Sequence, residues 1–141
     1  MEIAEVVAKR SNCCRRHVGA VIMKDNHILS TGYNGTPRGV KNCFEGGCPR
    51  CACTVKSGTN LEECLCTHAE QNAICQAAYY GHGIAGGTIY VTISPCLTCA
   101  KLIINAGIKD VVIRDTKNEY RIIPVEQWIE NDESIEGARG Y

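Results

Sequence analysis

Residues 68–114 read "HAEQNAICQAAYYGHGIAGGTIYVTISPCLTCAKLIINAGIKDVVIR", and the alternation inside this stretch decides the fold. Ala69, Ala73, Ile74, Ala77 and Ala78 recur on one helical stripe and Gly81 stops it, so the spacing predicts a helix over 68–80. "GTIYVTI" at 87–93 is a short apolar run rich in β-branched residues and reads as a buried strand. Pro95 opens a second helix, "PCLTCAKLIINAG", which ends at Gly107. "KDVVIR" at 109–114 is the next strand. Strands alternating with helices predict a layered α/β domain with parallel pairing in this half of the chain.

Upstream, residues 2–10 predict a short helix whose partial apolar face is Ile3, Val6, Val7 and Lys9. "HVGAVIMKDNHILSTGYN" at 17–34 reads as a hairpin that turns at "KDN". From Asn34 to Thr67 no helical or strand period emerges, although "GYNG" and "TPRG" punctuate the start. So long an irregular stretch in a compact domain has a function or is held by something, and its cysteines supply the means. Downstream come a short strand near 120–123 and a helix from Val125 to about Ile129. With 141 residues, no repeats and no linker, the expectation is a single domain over 1–141 with a Cys-rich loop at about 35–67.

The formal net charge is zero, with 15 basic and 15 acidic residues, which argues against long nucleic acid as a partner. No apolar run approaches the roughly 20 residues of a membrane span, so no membrane partner is expected. "MEIAEVVAKR" lacks the charge-then-apolar order of a signal peptide, so the expected location is intracellular and cytoplasmic. Against that background the eleven cysteines are anomalous. In a reducing compartment, clustered cysteines bind metal more often than they pair. Small buried thiols are the alternative, and it suits Cys75, inside a helical run, better than Cys48 or Cys51 beside a proline.

His68 and Glu70 fall in the first turn of one predicted helix, Cys96 and Cys99 in the first turn of the other. Helix N-termini carry partial positive charge and favour thiolate over thiol. Cys96 and Cys99 stand at i and i+3, on one side of their helix. With His68 they make one nitrogen and two sulfur donors, leaving a fourth tetrahedral position open as in a catalytic zinc site. Glu70 is then the proton carrier rather than a ligand. This His-x-Glu and Pro-Cys-x-x-Cys combination is the pattern of the zinc deaminases, in which an activated water attacks an amidine carbon of the ring. The plainer alternative is a structural site that recruits Cys66 as fourth ligand, which leaves Glu70 without a role.

"THAEQNAI", "VTISPCLTCAK" and "STGYNGTPRG" resemble the deoxycytidylate (dCMP) deaminase family within the cytidine deaminase superfamily, over about residues 10–115. The resemblance implies a three-layer α/β fold with a central five-stranded mixed sheet flanked by helices. It implies zinc at His68, Cys96 and Cys99, Glu70 as catalytic acid and base, and conversion of dCMP to dUMP for dTMP supply. It also implies a homo-oligomer, with a hexamer favoured, and regulation by dCTP as activator and dTTP as inhibitor, with magnesium carried by the nucleotide. Asn34, Ala69 and Ser94 take substrate-binding positions, and Gly32, Tyr33 and Gly35 border the effector site. On local sequence alone Asn34-Gly35 reads as a turn. The first helix looks shorter than is usual in the family, and "KNEYRIIPVEQWIE" at 117–130 matches no family pattern. Phosphate contacts are therefore assigned only as candidates, Tyr120 and Arg121 first, then Arg15, Arg16 and Lys117.

The loop "NCFEGGCPRCACTVKSGTNLEECLC" at 42–66 holds Cys43, Cys48, Cys51, Cys53, Cys64 and Cys66. Its Cys-x2-Cys turn and the Cys64-x-Cys66 pair have the spacing of a closed structural zinc site. The resemblance adds Cys13 as a further candidate. Cys43, Cys48, Cys51 and Cys64 are the four favoured for a second, structural zinc, with free buried thiols as the rival. Other deaminases remain open, acting on dCTP, nucleosides, free bases or tRNA adenosine, as does a zinc-stabilised module without catalysis.

Overall fold

The structure, a computed structural model, describes residues 1–52, 64–114 and 117–130. Along the chain come α1 (Glu2–Ala8), β1 (Gly19–Lys24), β2 (His27–Tyr33), a 3-10 turn (Cys43–Glu45), α2 (Pro49–Ala52), α3 (Ala69–Tyr80), β3 (Thr88–Val91), α4 (Leu97–Asn105), β4 (Asp110–Arg114), β5 (Tyr120–Pro124) and α5 (Val125–Glu130). The strands form one five-stranded mixed sheet in the order β2-β1-β3-β4-β5. Only β3 and β4 run parallel; β1 pairs antiparallel with β2 and with β3, and β4 antiparallel with β5. The parallel pair is the one that the helix α4 connects, as a crossover requires.

The β1–β2 hairpin turns at Asp25 and Asn26, both at positive φ (50° and 62°). Consecutive positive φ marks the type I′ turn that matches strand twist. Register then sorts the faces. Ala20, Ile22, Ile89, Val91, Val111 and Ile113 share one face and form the main core with the helices on that side. Gly32 faces α3 there: a Cβ added to it would lie 2.2 Å from the Ala69 carbonyl oxygen and 2.4 Å from the Ala73 nitrogen. On the opposite face Gly19 does the same for α1, its Cβ position lying 2.0 Å from the Ala4 oxygen. Helices therefore cover both faces of the sheet, as a three-layer α/β fold requires.

That close approach corrects two sequence expectations. In α1 the buried residues are Ala4 and Ala8, while Ile3 and Val6 are 48% and 63% exposed. Backbone-to-backbone packing on Gly19 selects the small side chains and turns the large ones outward. In α3 the buried stripe is Ala69, Glu70, Ala73 and Ala77, at helical spacing, and Ala78 is exposed. Cys75 is exposed too, so the inert buried thiol expected there is absent. The supposedly irregular loop is also more ordered than expected. It contains the 3-10 turn and α2, and a two-hydrogen-bond bridge joins its ends, Gly35 N–H to the Thr67 oxygen at 3.1 Å and Thr67 N–H to the Gly35 oxygen at 2.8 Å. Among the described residues no helix is long and apolar enough to cross a membrane.

Candidate metal centre and active site

Two helix starts meet at this site. His68 is the N-cap of α3, in extended conformation, and its N–H donates to the Gln71 side-chain oxygen at 2.8 Å. Cys96 is the N-cap of α4, and its sulfur accepts from the Cys99 N–H at 3.3 Å. His68 and Cys96 thus stand one residue outside the helices rather than within their first turns. An N-cap side chain points back over the free N–H groups, which is what aims both residues at one point.

The His68 Nδ1 atom lies 3.4 Å from the Cys96 sulfur and 3.4 Å from the Cys99 sulfur. A tetrahedral ion at zinc distances of about 2.0 Å to nitrogen and about 2.3 Å to sulfur would hold such donors about 3.5 Å apart. Both nitrogen–sulfur separations therefore fit a zinc-sized ion, and all three donors lie within 4.8 Å of one another. Hydrogen bonding from the Cys99 thiol holds Cys96 down at about 3, and the same bond, with burial, pushes Cys99 up. The Cys96 thiolate in turn raises His68.

Glu70 is 2% exposed, within hydrogen-bonding reach of the Cys99 thiol, and lies outside the three-donor group. Burial is the main cause that lifts its carboxyl above the ordinary 4.5. A buried carboxyl with a raised pKa beside metal donors has the properties of an acid–base catalyst.

The Gly35–Thr67 bridge brings the end of β2 next to His68. The Asn72 amide reinforces it by donating to the Tyr33 carbonyl oxygen at 2.7 Å. Asn34, 8% exposed, therefore stands by the site, but its side chain is largely engaged. Its Oδ1 accepts from Val18 N–H at 2.8 Å and from the Ser11 hydroxyl at 2.6 Å, and its Nδ2 donates to the Arg16 oxygen at 2.7 Å. One N–H remains. Ala69 is fully buried at the first position of α3. Ser94 is exposed in the turn that leads through Pro95 to Cys96. Tyr120 and Arg121, both exposed, begin the edge strand β5. Tyr120 lies under the Arg114 guanidinium, 6.0 Å from its ring centre, and borders a shallow depression with Met1, Glu2 and Ile3. Arg114 itself pairs with Glu5.

The cysteines of the loop form a separate nest. Cys13, Cys43, Cys48, Cys51 and Cys66 are buried together, with Cys64 packed against them. All ten described cysteines are free thiols; Cys53 lies outside the described residues. The four thiols favoured from spacing do not make one group among the described residues. Cys43 sits with Cys13, Cys51 and Cys66, whereas Cys48 and Cys64 sit with Cys51 and Cys66. Spacing alone undervalued Cys13 and Cys66, because the fold brings together segments far apart in sequence. Cys66 also belongs to this nest rather than to His68, which removes the four-ligand alternative at the first site.

Residues 1–115 match the family described as the cytidine and deoxycytidylate deaminase zinc-binding region. The chain is 48% identical over 118 residues to a deoxycytidylate deaminase of Schizosaccharomyces pombe, covering 84% of this chain and 36% of that protein. It is 47% identical over 112 residues to the deoxycytidylate deaminase of Saccharomyces cerevisiae, covering 79% of this chain and 35% of that one. The chain thus spans about a third of the length of these two fungal relatives. Among solved structures, it resembles the dCMP deaminase of cyanophage S-TIM5 in complex with dCMP and dUMP, with 37% identity and a TM-score of 0.67, covering 95% of this chain and 87% of that one.

Proposed function

The chain belongs to the cytidine and deoxycytidylate deaminase family, and on that premise we propose that it hydrolyses deoxycytidylate to deoxyuridylate and ammonia with the help of zinc. One observation carries the reading: His68, Cys96 and Cys99 converge at zinc-fitting separations with a buried glutamate beside them that is not a donor. His68, Cys96 and Cys99 would hold the ion. When bound, zinc supplies a water made acidic enough to act as nucleophile near neutral pH.

Glu70 takes the proton of the attacking water and delivers it to N3 of the cytosine ring. It then carries the second proton to the departing amine, so water is consumed and ammonia released. Its burial keeps solvent from competing for these protons. Ala69 and Ser94 border the ring, and the free N–H of Asn34 faces the sugar. Tyr120 and Arg121 are the candidates for the phosphate. A monophosphate substrate is supported by the cyanophage relative, whose structure holds dCMP and dUMP. Acceptance of dCTP, activation by dCTP and inhibition by dTTP with magnesium belong to the same reading through the family.

A homo-oligomer, with a hexamer favoured, belongs to the same reading through the family. Free thiols in such number suit the reducing cytoplasm. The cysteine nest would take structural zinc, which would tie the loop to the segment after α1.

The test is ammonia release from dCMP, dCTP, deoxycytidine and cytosine on one zinc-replete sample, with dCTP and dTTP added separately to the dCMP reaction. Turnover of dCMP that rises with dCTP and falls with dTTP is expected. Turnover of dCTP would mean that the phosphate site is open-ended. A folded, zinc-replete chain that turns over none of the four would refute the proposal.

A further inference from the structure

We propose that the cysteine nest is a binuclear centre in which six thiolates hold two zinc-type ions, with Cys51 and Cys66 each bridging both. Two four-thiol groups exist here, each with all its sulfurs within 4.8 Å of one another, and they share those two cysteines. Cys13 and Cys43 complete one group, Cys48 and Cys64 the other. This deepens the structural-zinc reading given above and rests on it.

The separations fit shared tetrahedral coordination. Cys51 lies 4.0 Å from Cys13, 3.8 Å from Cys64 and 3.9 Å from Cys66, and Cys48 lies 3.8 Å from Cys64. Two sulfurs on one tetrahedral zinc, each at about 2.3 Å, stand about 3.8 Å apart. Disulfide bonding needs about 2.05 Å and would leave such a spacing unexplained. Cys14, exposed, touches Cys43 at 3.8 Å but joins neither group.

A single ion is the poorer account. It would use four of the six thiols and leave the other two, which stand at the same separations, outside its coordination. Five of the six are buried, Cys48 completely. Among the described residues, sharing Cys51 and Cys66 completes two four-sulfur sets with six thiols. Two dications against six thiolates leave two negative charges, the same residue as one dication against four. Positive and polar groups are placed to meet it. Leu65 N–H donates to the Cys48 sulfur at 3.3 Å, and the Arg15 Nε donates to the Cys51 carbonyl oxygen at 3.1 Å.

The position gives the centre a purpose. It ties the segment after α1, through Cys13, to the 3-10 turn, to α2 and to the run into α3. Cys66 stands two residues before His68, so a bridging thiolate fixes the approach of the catalytic histidine.

The experiment counts metal and then asks whether two ions are coupled. Zinc per chain is measured by mass spectrometry on the intact protein and on Cys96→Ser/Cys99→Ser, which lacks the first site. Three ions and two ions, respectively, are expected. One ion or none in the double variant overturns the proposal. The intact chain is also loaded with cadmium-113: two resonances in the four-sulfur range that show cadmium–cadmium coupling are expected, and uncoupled resonances overturn it. Because the double variant has no deaminase site, loss of deamination and loss of the binuclear centre are read separately.

Discussion

Replacing Glu70 with glutamine removes the proton carrier and almost nothing else. The side chain keeps its length and one carbonyl oxygen, and Glu70 is not among the metal donors, so zinc content should stay unchanged. General acid–base catalysis contributes about 10²- to 10⁴-fold per positioned group. Glu70 is 2% exposed, and one carboxylate serves both proton transfers. The upper end of the range therefore applies, a loss of about 10⁴-fold in kcat, or about 5.5 kcal/mol at about 1.4 kcal/mol per tenfold. Ammonia release from saturating dCMP measures it, with zinc determined on the same sample. A loss smaller than tenfold at full zinc occupancy would refute the assigned role.

The same substitution makes a stability prediction with a definite sign. Burial raises the Glu70 pKa above 4.5, so the native state holds its proton more tightly than the unfolded state. The ionised form then costs stability, increasingly as pH climbs from about 4.5 through the folded pKa. Metal-free Glu70→Gln should melt above the metal-free parent at pH 7, and the gain should vanish as pH falls toward 4.5. A melting point below the parent's at pH 7 would contradict the burial argument.

Gly32→Ala forces β2 and α3 apart, since the new Cβ would lie 2.2 Å from the Ala69 oxygen. Calorimetry should show a loss of about 1–3 kcal/mol, together with reduced deamination because α3 carries His68 and Glu70. Asn34→Ala strands the Val18 N–H and the Arg16 carbonyl, while the Ser11 hydroxyl keeps its bond to the residue 34 carbonyl oxygen at 2.7 Å. It should cost at least about 1–3 kcal/mol in a denaturant titration, and an unchanged midpoint would mean that these bonds carry little. Arg121→Ala should raise KM for dCMP and leave turnover of deoxycytidine unchanged; equal effects on both would remove Arg121 from the phosphate site.

Much of this was legible in sequence because local signals agreed with tertiary ones. The glycine stops at Gly81 and Gly107, the Asp25-Asn26 turn and the Pro95 start each place an element boundary within a residue or two. The catalytic donors were legible because two helix starts carry them, although His68 and Cys96 prove to be caps. What stayed hidden depends on distant segments. No local pattern announces the Gly35–Thr67 bridge, or that Cys13 reaches Cys51 across 38 residues. The exposed face of α1 misled because large apolar side chains normally turn inward, and here Gly19 admits only alanines. Expected parallel pairing holds for β3 and β4 alone. β5 follows β4 after a short link, with no room for a crossover, and so returns antiparallel.

The measurement that bears most directly on the account is zinc dependence of dCMP turnover by the chain itself. Chelated to remove metal, the protein should release no ammonia from dCMP, and activity should return in proportion to zinc bound at His68, Cys96 and Cys99. Turnover that persists in the metal-free protein, or that fails to return once that site is refilled, would contradict it.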